Sequence, residues 1–204
     1  MKGFIVSLRR ARDEDLIVTL LEERALRSYY RFYGARHSIL QLGYLIDYER
    51  EEESRFMPRL RRVSHLGFPW LTRRNRLMLW QRFVALFEPH LRDTEELEPF
   101  YFDLLLRAAR RWEKQNPRRI VCESALELLK YEGRIHPPQR CYICEQPIGE
   151  SVALMQALLP AHPSCIYGSA LPRHKIEEFF ETGKTTLLED AEVELLYDLV
   201  SKGF

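Results

Sequence analysis

Four side chains between residues 141 and 165 have the types and spacing to hold a metal ion. Cys141 and Cys144 form a C-x2-C pair, seventeen residues follow, and His162 and Cys165 form an H-x2-C pair. Two such pairs joined by a loop can close a tetrahedron on one Zn2+, with three thiolates and one imidazole as ligands. Four protein ligands leave no position for water or substrate, so the implied ion is a structural clasp and no catalytic residue is expected. His174 is an alternative fourth ligand to His162, but the tight H-x2-C spacing suits a knuckle better. Reduced core thiols or a disulfide are the other readings of these cysteines.

Two patterns imitate active sites. Zinc deaminases need H-x-E upstream of P-C-x-x-C; here Arg140 precedes Cys141, and none of His37, His65, His90 or His136 has Glu two residues on. Thr182-Gly183-Lys184-Thr185 spells the end of a phosphate-binding loop, but Glu178 stands where that loop needs glycine, and a helical pattern precedes it instead of a strand. Gly183 reads as a helix stop. No paired carboxylates, Ser-His-Asp set or activated cysteine can be assembled, so the chain is expected to be neither an enzyme nor a nucleotide binder. Cys122, alone in a helical pattern, reads as a small core residue.

The formal net charge of +1 conceals strong polarity. Residues 54–87 hold eight arginines (Arg55, Arg59, Arg61, Arg62, Arg73, Arg74, Arg76 and Arg82) and no acid, whereas eight acids face two lysines after Lys175. Arginine favours bidentate phosphate contact. Lys2, Arg9, Arg10, Arg12 and Arg36 add positive charge nearby, among Tyr29, Tyr30, Phe32, Tyr33, Tyr44 and Tyr48. A basic groove lined by rings is how OB folds hold single strands without reading sequence. The expected DNA contacts are Lys2, Arg9, Arg10, Arg12, Arg36, Arg59, Arg61, Arg62, Arg73, Arg74 and Arg76. Alternation makes Tyr30, Phe32 and Tyr44 core rather than stacking platform. A solvated face is the plain reading of such a cluster, and a protein-interaction scaffold with incidental DNA binding is the functional alternative.

The elements that must position these residues divide by period. Five strands are read at Phe4–Leu8, Leu16–Leu21, Leu26–Tyr33, Leu40–Tyr48 and Arg59–Leu66, with Gly43 marking a bulge or bend inside the fourth. In the fifth, Arg59 and Arg61 share one face and Arg62 takes the other. Five short strands point to a small closed barrel of OB type. Helical spacing then joins Leu77 to Leu91 and Leu97 to Trp112, the second capped by Asp93 or Thr94. A third helix has Asn116 as N-cap, Pro117 at its first position and Gly133 as its stop. Two more run from about Pro172 to Thr182 and from about Leu188 to Ser201, the last burying Leu195, Leu196 and Leu199. The fold class is therefore α+β: an OB barrel over 1–69, a helical bundle over 70–138, a zinc knuckle over 139–168 packed on it, and C-terminal helices over 169–204. With 46% hydrophobic residues and 12% aromatic, a substantial core is available; no run of about 18 apolar residues exists, and a cytoplasmic location is expected.

The order barrel, helices, knuckle, with Tyr30-Arg31-Phe32-Tyr33-Gly34-Ala35-Arg36-His37 and Glu132-Gly133-Arg134, resembles the RecO family of bacterial DNA repair proteins, in its shorter variant. The resemblance covers essentially the whole chain. It implies an ATP-independent recombination mediator that binds single- and double-stranded DNA, anneals complementary strands, and works with RecR to load RecA on strands coated by single-strand-binding protein. The implied setting is the nucleoid. The family's zinc site falls on Cys141, Cys144, His162 and Cys165, where many members have four cysteines.

Overall fold

A computed structural model describes residues 1–36, 39–52, 56–94 and 96–204 of the chain; Arg55 of the arginine run and His37 of the family-like segment lie outside them. The chain divides into two compact units, Met1–Glu113 and Lys114–Phe204.

The first unit opens with five strands, β1 (Lys2–Arg10), β2 (Leu16–Leu21), β3 (Leu26–Arg31), β4 (Leu45–Glu51) and β5 (Arg59–Leu66). They close a barrel in the order β1-β2-β3-β5-β4, as the alternation in the sequence leads one to expect. Ile5, Val18, Leu20, Tyr29, Ile46, Tyr48 and Leu60 fill its interior. Two strand readings are corrected. Tyr29, not Tyr30 or Phe32, is the buried ring of β3, and Phe32 is 43% exposed. A strand shifted by one residue exchanges its faces, and here the inward face is chosen by a buried acid. Tyr29 and Tyr48 both donate their hydroxyls to the Glu22 carboxylate, Tyr48 at 2.6 Å. Burial and that carboxylate push the Tyr29 hydroxyl up to about 12, so it remains a donor.

The fourth strand starts at Leu45 instead of Leu40, because Gly43 turns the chain at φ +83° before β4 begins. A Cβ at Gly43 would lie 2.7 Å from the Trp80 ring, whose Nε1–H donates to the Gly43 carbonyl at 2.7 Å. Only glycine lets the backbone come that close.

Helices α1 (Arg74–Ala85), α2 (Phe87–Leu91) and α3 (Phe100–Arg111) complete this unit. Pro99, not Asp93 or Thr94, occupies the N-cap of α3, with no side-chain cap. Trp70, Trp80 and Trp112 meet with ring centroids 5.0–6.0 Å apart, and each indole N–H reaches a carbonyl, of Ala109, Gly43 and Arg76 respectively. Phe4 of β1 joins the cluster through Trp80 and Phe102, so α1 and α3 pack on the barrel.

The second unit contains α4 (Pro117–Tyr131), strands β6 (Ser151–Leu154) and β7 (Pro160–Ala161), the single turn α5 (Pro163–Ile166), β8 (Leu171–Pro172), α6 (Arg173–Thr182) and α7 (Asp190–Val200). Helix α4 begins as its sequence requires: Asn116 accepts from the Arg118 N–H at 3.0 Å, Pro117 follows, and Gly133 lies at φ +68° beyond the end. It packs against α7, so the division between units falls inside the 70–138 stretch that periodicity groups together. Helix α7 buries Val193, Leu196, Tyr197 and Val200, while Leu195 is 42% exposed. That corrects the expected apolar face, which runs through Val193, Leu196, Tyr197 and Val200 and leaves Leu195 outside. Gly183 is the left-handed stop of α6, and the phosphate-loop imitation resolves into a turn in which Thr185 donates twice to buried Glu123. Cys122 is buried on α4, and burial holds its thiol well above the usual range. Among the described residues no helix is long and apolar enough to cross a membrane.

Candidate metal centre and nucleic-acid interface

Cys141 and Cys144 sit on a tight turn. The Cys141 carbonyl accepts from Glu145 N–H at 2.9 Å, Glu145 adopts φ +59°, and Cys141 N–H returns to the Gln146 carbonyl at 3.0 Å. His162 and Cys165 come from the start of α5, where His162 is the N-cap, Pro163 the first helical residue, and Cys165 N–H bonds back to the His162 carbonyl. Strand β6, unread in the sequence, brings the two halves together: it pairs with β7, which leads into His162, and with β8, which leads into α6. Val152, Ala153 and Leu154 were legible as apolar but too few to declare a strand.

The ligand atoms of Cys141, Cys144, His162 and Cys165 all lie within 4.8 Å of one another. Around a tetrahedral Zn2+, Zn–S of about 2.3 Å and Zn–N of about 2.0–2.1 Å set ligand separations of about 3.8 Å for S···S and about 3.5 Å for S···N. Here the Cys144 and Cys165 sulfurs stand 3.8 Å apart, and His162 Nδ1 lies 3.4 Å from Cys144 Sγ and 3.7 Å from Cys165 Sγ. A disulfide would need about 2.05 Å. His162 Nε2 is 3.0 Å from the Pro147 carbonyl, which can only accept. The proton therefore resides on Nε2 and the Nδ1 lone pair faces the sulfurs, the tautomer a metal requires. Burial works against charge at Cys141, but backbone N–H groups of Cys144, His162 and Ile143 outweigh it and bring the thiol down to about 6. At Cys165, burial and the neighbouring sulfurs push the thiol up to about 11. Crowded sulfurs with one preformed thiolate are what a cation relieves, and this Cys3His cluster could bind a metal ion. His174, the alternative ligand, lies on α6 and is no part of the group.

The basic residues are spread over the barrel and α1. Lys2, Arg9 and Arg10 are exposed on β1, and Arg12 on the turn after it. Arg36 is bonded to Glu14 and lies 5.1 Å over the Tyr33 ring. Arg59 lies 4.9 Å over the Phe32 ring. A bulge changes the reading of β5: pairing with β4 shifts between Asp47 and Glu49, and Arg62 takes φ +42°. Strict alternation would point Arg62 inward with Leu60; the bulge instead leaves both Arg61 and Arg62 exposed.

The acid-free run is not acid-free in space. Across the ladder, Glu51 pairs with Arg61 at 2.7 Å and Glu49 with Arg62 at 3.0 Å. Arg73 pairs with Glu113, and Arg76 donates to the Trp112 carbonyl. Arg74 is exposed at the start of α1. Counting charge along the chain could not see strand partners; the β4–β5 pairing would have revealed them. Exposed pairs of this kind contribute only about 0–1 kcal/mol each, so a phosphate can replace the carboxylate.

Beside these residues, β3 and β5 form a parallel seam with one paired position, Tyr30 with Arg59. A cleft of about 410 Å³ opens there, lined by Tyr30, Arg31, Phe32, Tyr33, Arg59, Leu60 and Arg61. Tyr33, 58% exposed, is held by Asp15, which accepts its backbone N–H at 2.8 Å and the Tyr30 hydroxyl at 2.6 Å. Those bonds keep the Asp15 carboxyl below the usual range. Arg31 is missing from the expected contacts: alternation puts it on the outward face with Tyr29 and Tyr33, whereas the structure turns Tyr29 inward and leaves Arg31 half-buried at the strand end.

A closed five-stranded barrel with exposed arginines and rings is an architecture on which single strands can be held, and the Cys3His group beyond the helices could hold a metal ion. Residues 1–71, the barrel and the turn after it, match the family model described as RecO N terminal. No curated protein matches the chain.

Proposed function

We propose that this protein is an ATP-independent recombination mediator that binds single- and double-stranded DNA and anneals complementary strands. Its partners in that role are RecR, the single-strand-binding protein and the RecA filament, and its place is the cytoplasm, on the nucleoid. The observation that carries the reading is the barrel face on which Arg59, Arg61 and Arg62 stand beside exposed Phe32 and Tyr33, within the domain that matches RecO. Annealing requires that phosphates on two strands be neutralised while bases stay accessible, and arginines in exchangeable ion pairs can do this without hydrolysis. Lys2, Arg9, Arg10, Arg12 and Arg36 extend the surface on the barrel, and Arg73, Arg74 and Arg76 extend it onto α1. In the second unit, Cys141, Cys144, His162 and Cys165 hold one structural Zn2+, which when bound fixes the knuckle and supplies no reaction.

The test is a strand-annealing assay without ATP, run beside anisotropy titrations with single-stranded DNA at two salt concentrations. Replacing Arg59, Arg61 and Arg62 by alanine is expected to weaken binding to all sequences and to flatten the salt dependence, by about 0.7 in slope for each single-strand phosphate that is no longer neutralised. Unchanged affinity in the folded triple variant would remove these residues from the interface. The carboxylates make the opposite prediction. Glu49→Gln with Glu51→Gln releases Arg62 and Arg61 and is expected to tighten binding by about two- to tenfold; weaker binding would mean that the pairs orient the arginines instead of competing for them.

A further inference from the structure

We propose that the seam between β3 and β5 is a single-nucleotide subsite, with Arg31 as its phosphate anchor and Tyr33 as its base-stacking platform. The inference rests on the DNA-binding reading above and adds to it the residues that engage one unit of a single strand. Its ground is the way the barrel closes. After the one parallel pairing of Tyr30 with Arg59 and the bond from Tyr30 N–H to the Pro58 carbonyl, the two strands part. Arg31 bridges the gap by donating one guanidinium N–H to the Leu60 carbonyl at 2.8 Å. That bond uses one of its five donors. Its Nε is buried without a partner, and no carboxylate pairs with it among the described residues.

A half-buried guanidinium whose Nε lacks a partner is an anion site in waiting, because leaving a polar group unpaired away from water is unfavourable. Burial, and then the like charge of Arg61, both act against the Arg31 cation, and an anion between the two guanidiniums would relieve the repulsion. At the mouth of the same cleft, Tyr33 is 58% exposed and Arg36 lies over its ring. A base on the free side would complete an arginine–ring–base stack. The cleft of about 410 Å³ falls within the span of about 300–1,000 Å³ typical of small-ligand sites, and so takes roughly one nucleotide and not a duplex.

Two variants test the assignment against a merely structural role for Arg31. Arg31→Gln keeps a side-chain N–H for Leu60 but loses the charge; it is expected to lower the salt slope of single-strand binding by about 0.7. Tyr33→Leu keeps a side chain unbranched at Cβ on a backbone at φ +50°; it is expected to weaken single-strand binding by about five- to a hundredfold with the slope unchanged. Neither should alter duplex affinity by more than about twofold. If native protein binds single strands and both folded variants bind like it, the subsite is wrong while the DNA-binding reading stands. Native protein that binds no DNA overturns the broader reading instead. Should Arg31→Gln fail to fold, the Tyr33→Leu titration decides, and equal losses on single strand and duplex would overturn the single-nucleotide assignment.

Discussion

Stripping the metal with a chelator, or replacing Cys144 by serine, is expected to unfold residues 139–172 while the barrel keeps its structure. Apart from the ion, the knuckle is held by a small apolar cluster of Ile148, Val152, Ala153, Leu158, Ala161 and Leu171. Its strands are four, two and two residues long, far short of an independently stable sheet, and the Cys141–Glu145 turn closes on itself. Metal binding in isolated zinc modules is worth roughly 10 kcal/mol or more at neutral pH, so folding of this segment and occupancy of the site should be one event. The loss should spread to α6. Arg173 at its first turn donates to the Ile148 carbonyl at 2.6 Å, and its backbone N–H bonds to Glu150. Helices α4 and α7 have their own packing and should survive longer. Hydrogen exchange, resolved by peptide, with and without chelator, reads this directly, and DNA affinity should be partly retained. Equal loss of protection in 1–113, or complete loss of DNA binding, would sink the division of labour.

The second large effect is expected at Trp80. Removing a fully buried tryptophan to alanine costs about 3–5 kcal/mol in transfer and cavity terms, and here it also strands the Gly43 carbonyl. Because the same ring touches Phe4, Trp70, Phe83 and Trp112, the void would open where the barrel meets α1 and α3. Trp80→Ala should therefore shift the urea midpoint of the first unit strongly. Trp80→Phe, which keeps an aromatic ring and loses the N–H, should lose about 1–3 kcal/mol. A variant pair that melts alike would show that the N–H bond to Gly43, which both lose, matters there and ring volume does not.

What the residues disclosed and what they hid follow a physical line. The knuckle was legible because ligand spacing is a local property, and so were the ends of α4 and α6, where Asn116, Pro117, Gly133 and Gly183 act on their own backbone. Facing was less legible. Alternation placed Tyr30 inward, but whether Tyr29 or Tyr30 enters the barrel depends on Glu22, seven residues away on the neighbouring strand turn. Arg62 was expected as a contact but on the opposite face from Arg61, because the bulge that leaves both exposed has no local signal, and the partners Glu49 and Glu51 belong to another strand. The helices after residue 70 were plain as helices, yet periodicity cannot say which face covers which; that α4 pairs with α7 follows from packing across more than seventy residues. Arg31 was hidden for a related reason: its role comes from a strand end left half-paired.

That half-paired seam also bears on how the barrel breathes. Strands β1, β2 and β3 form a meander joined by short turns, and β4 and β5 form a second antiparallel pair that attaches through β1. Closure then depends on one rung between residues twenty-nine apart in sequence, plus the Arg31 bridge. Such a contact gains its loop entropy last and releases it first. Amide protons of Tyr30 and Leu60 should exchange sooner than those of Val18 or Ile46, and a strand lodged in the seam should slow them. The place at which this barrel opens most readily is the place at which it is built to be filled.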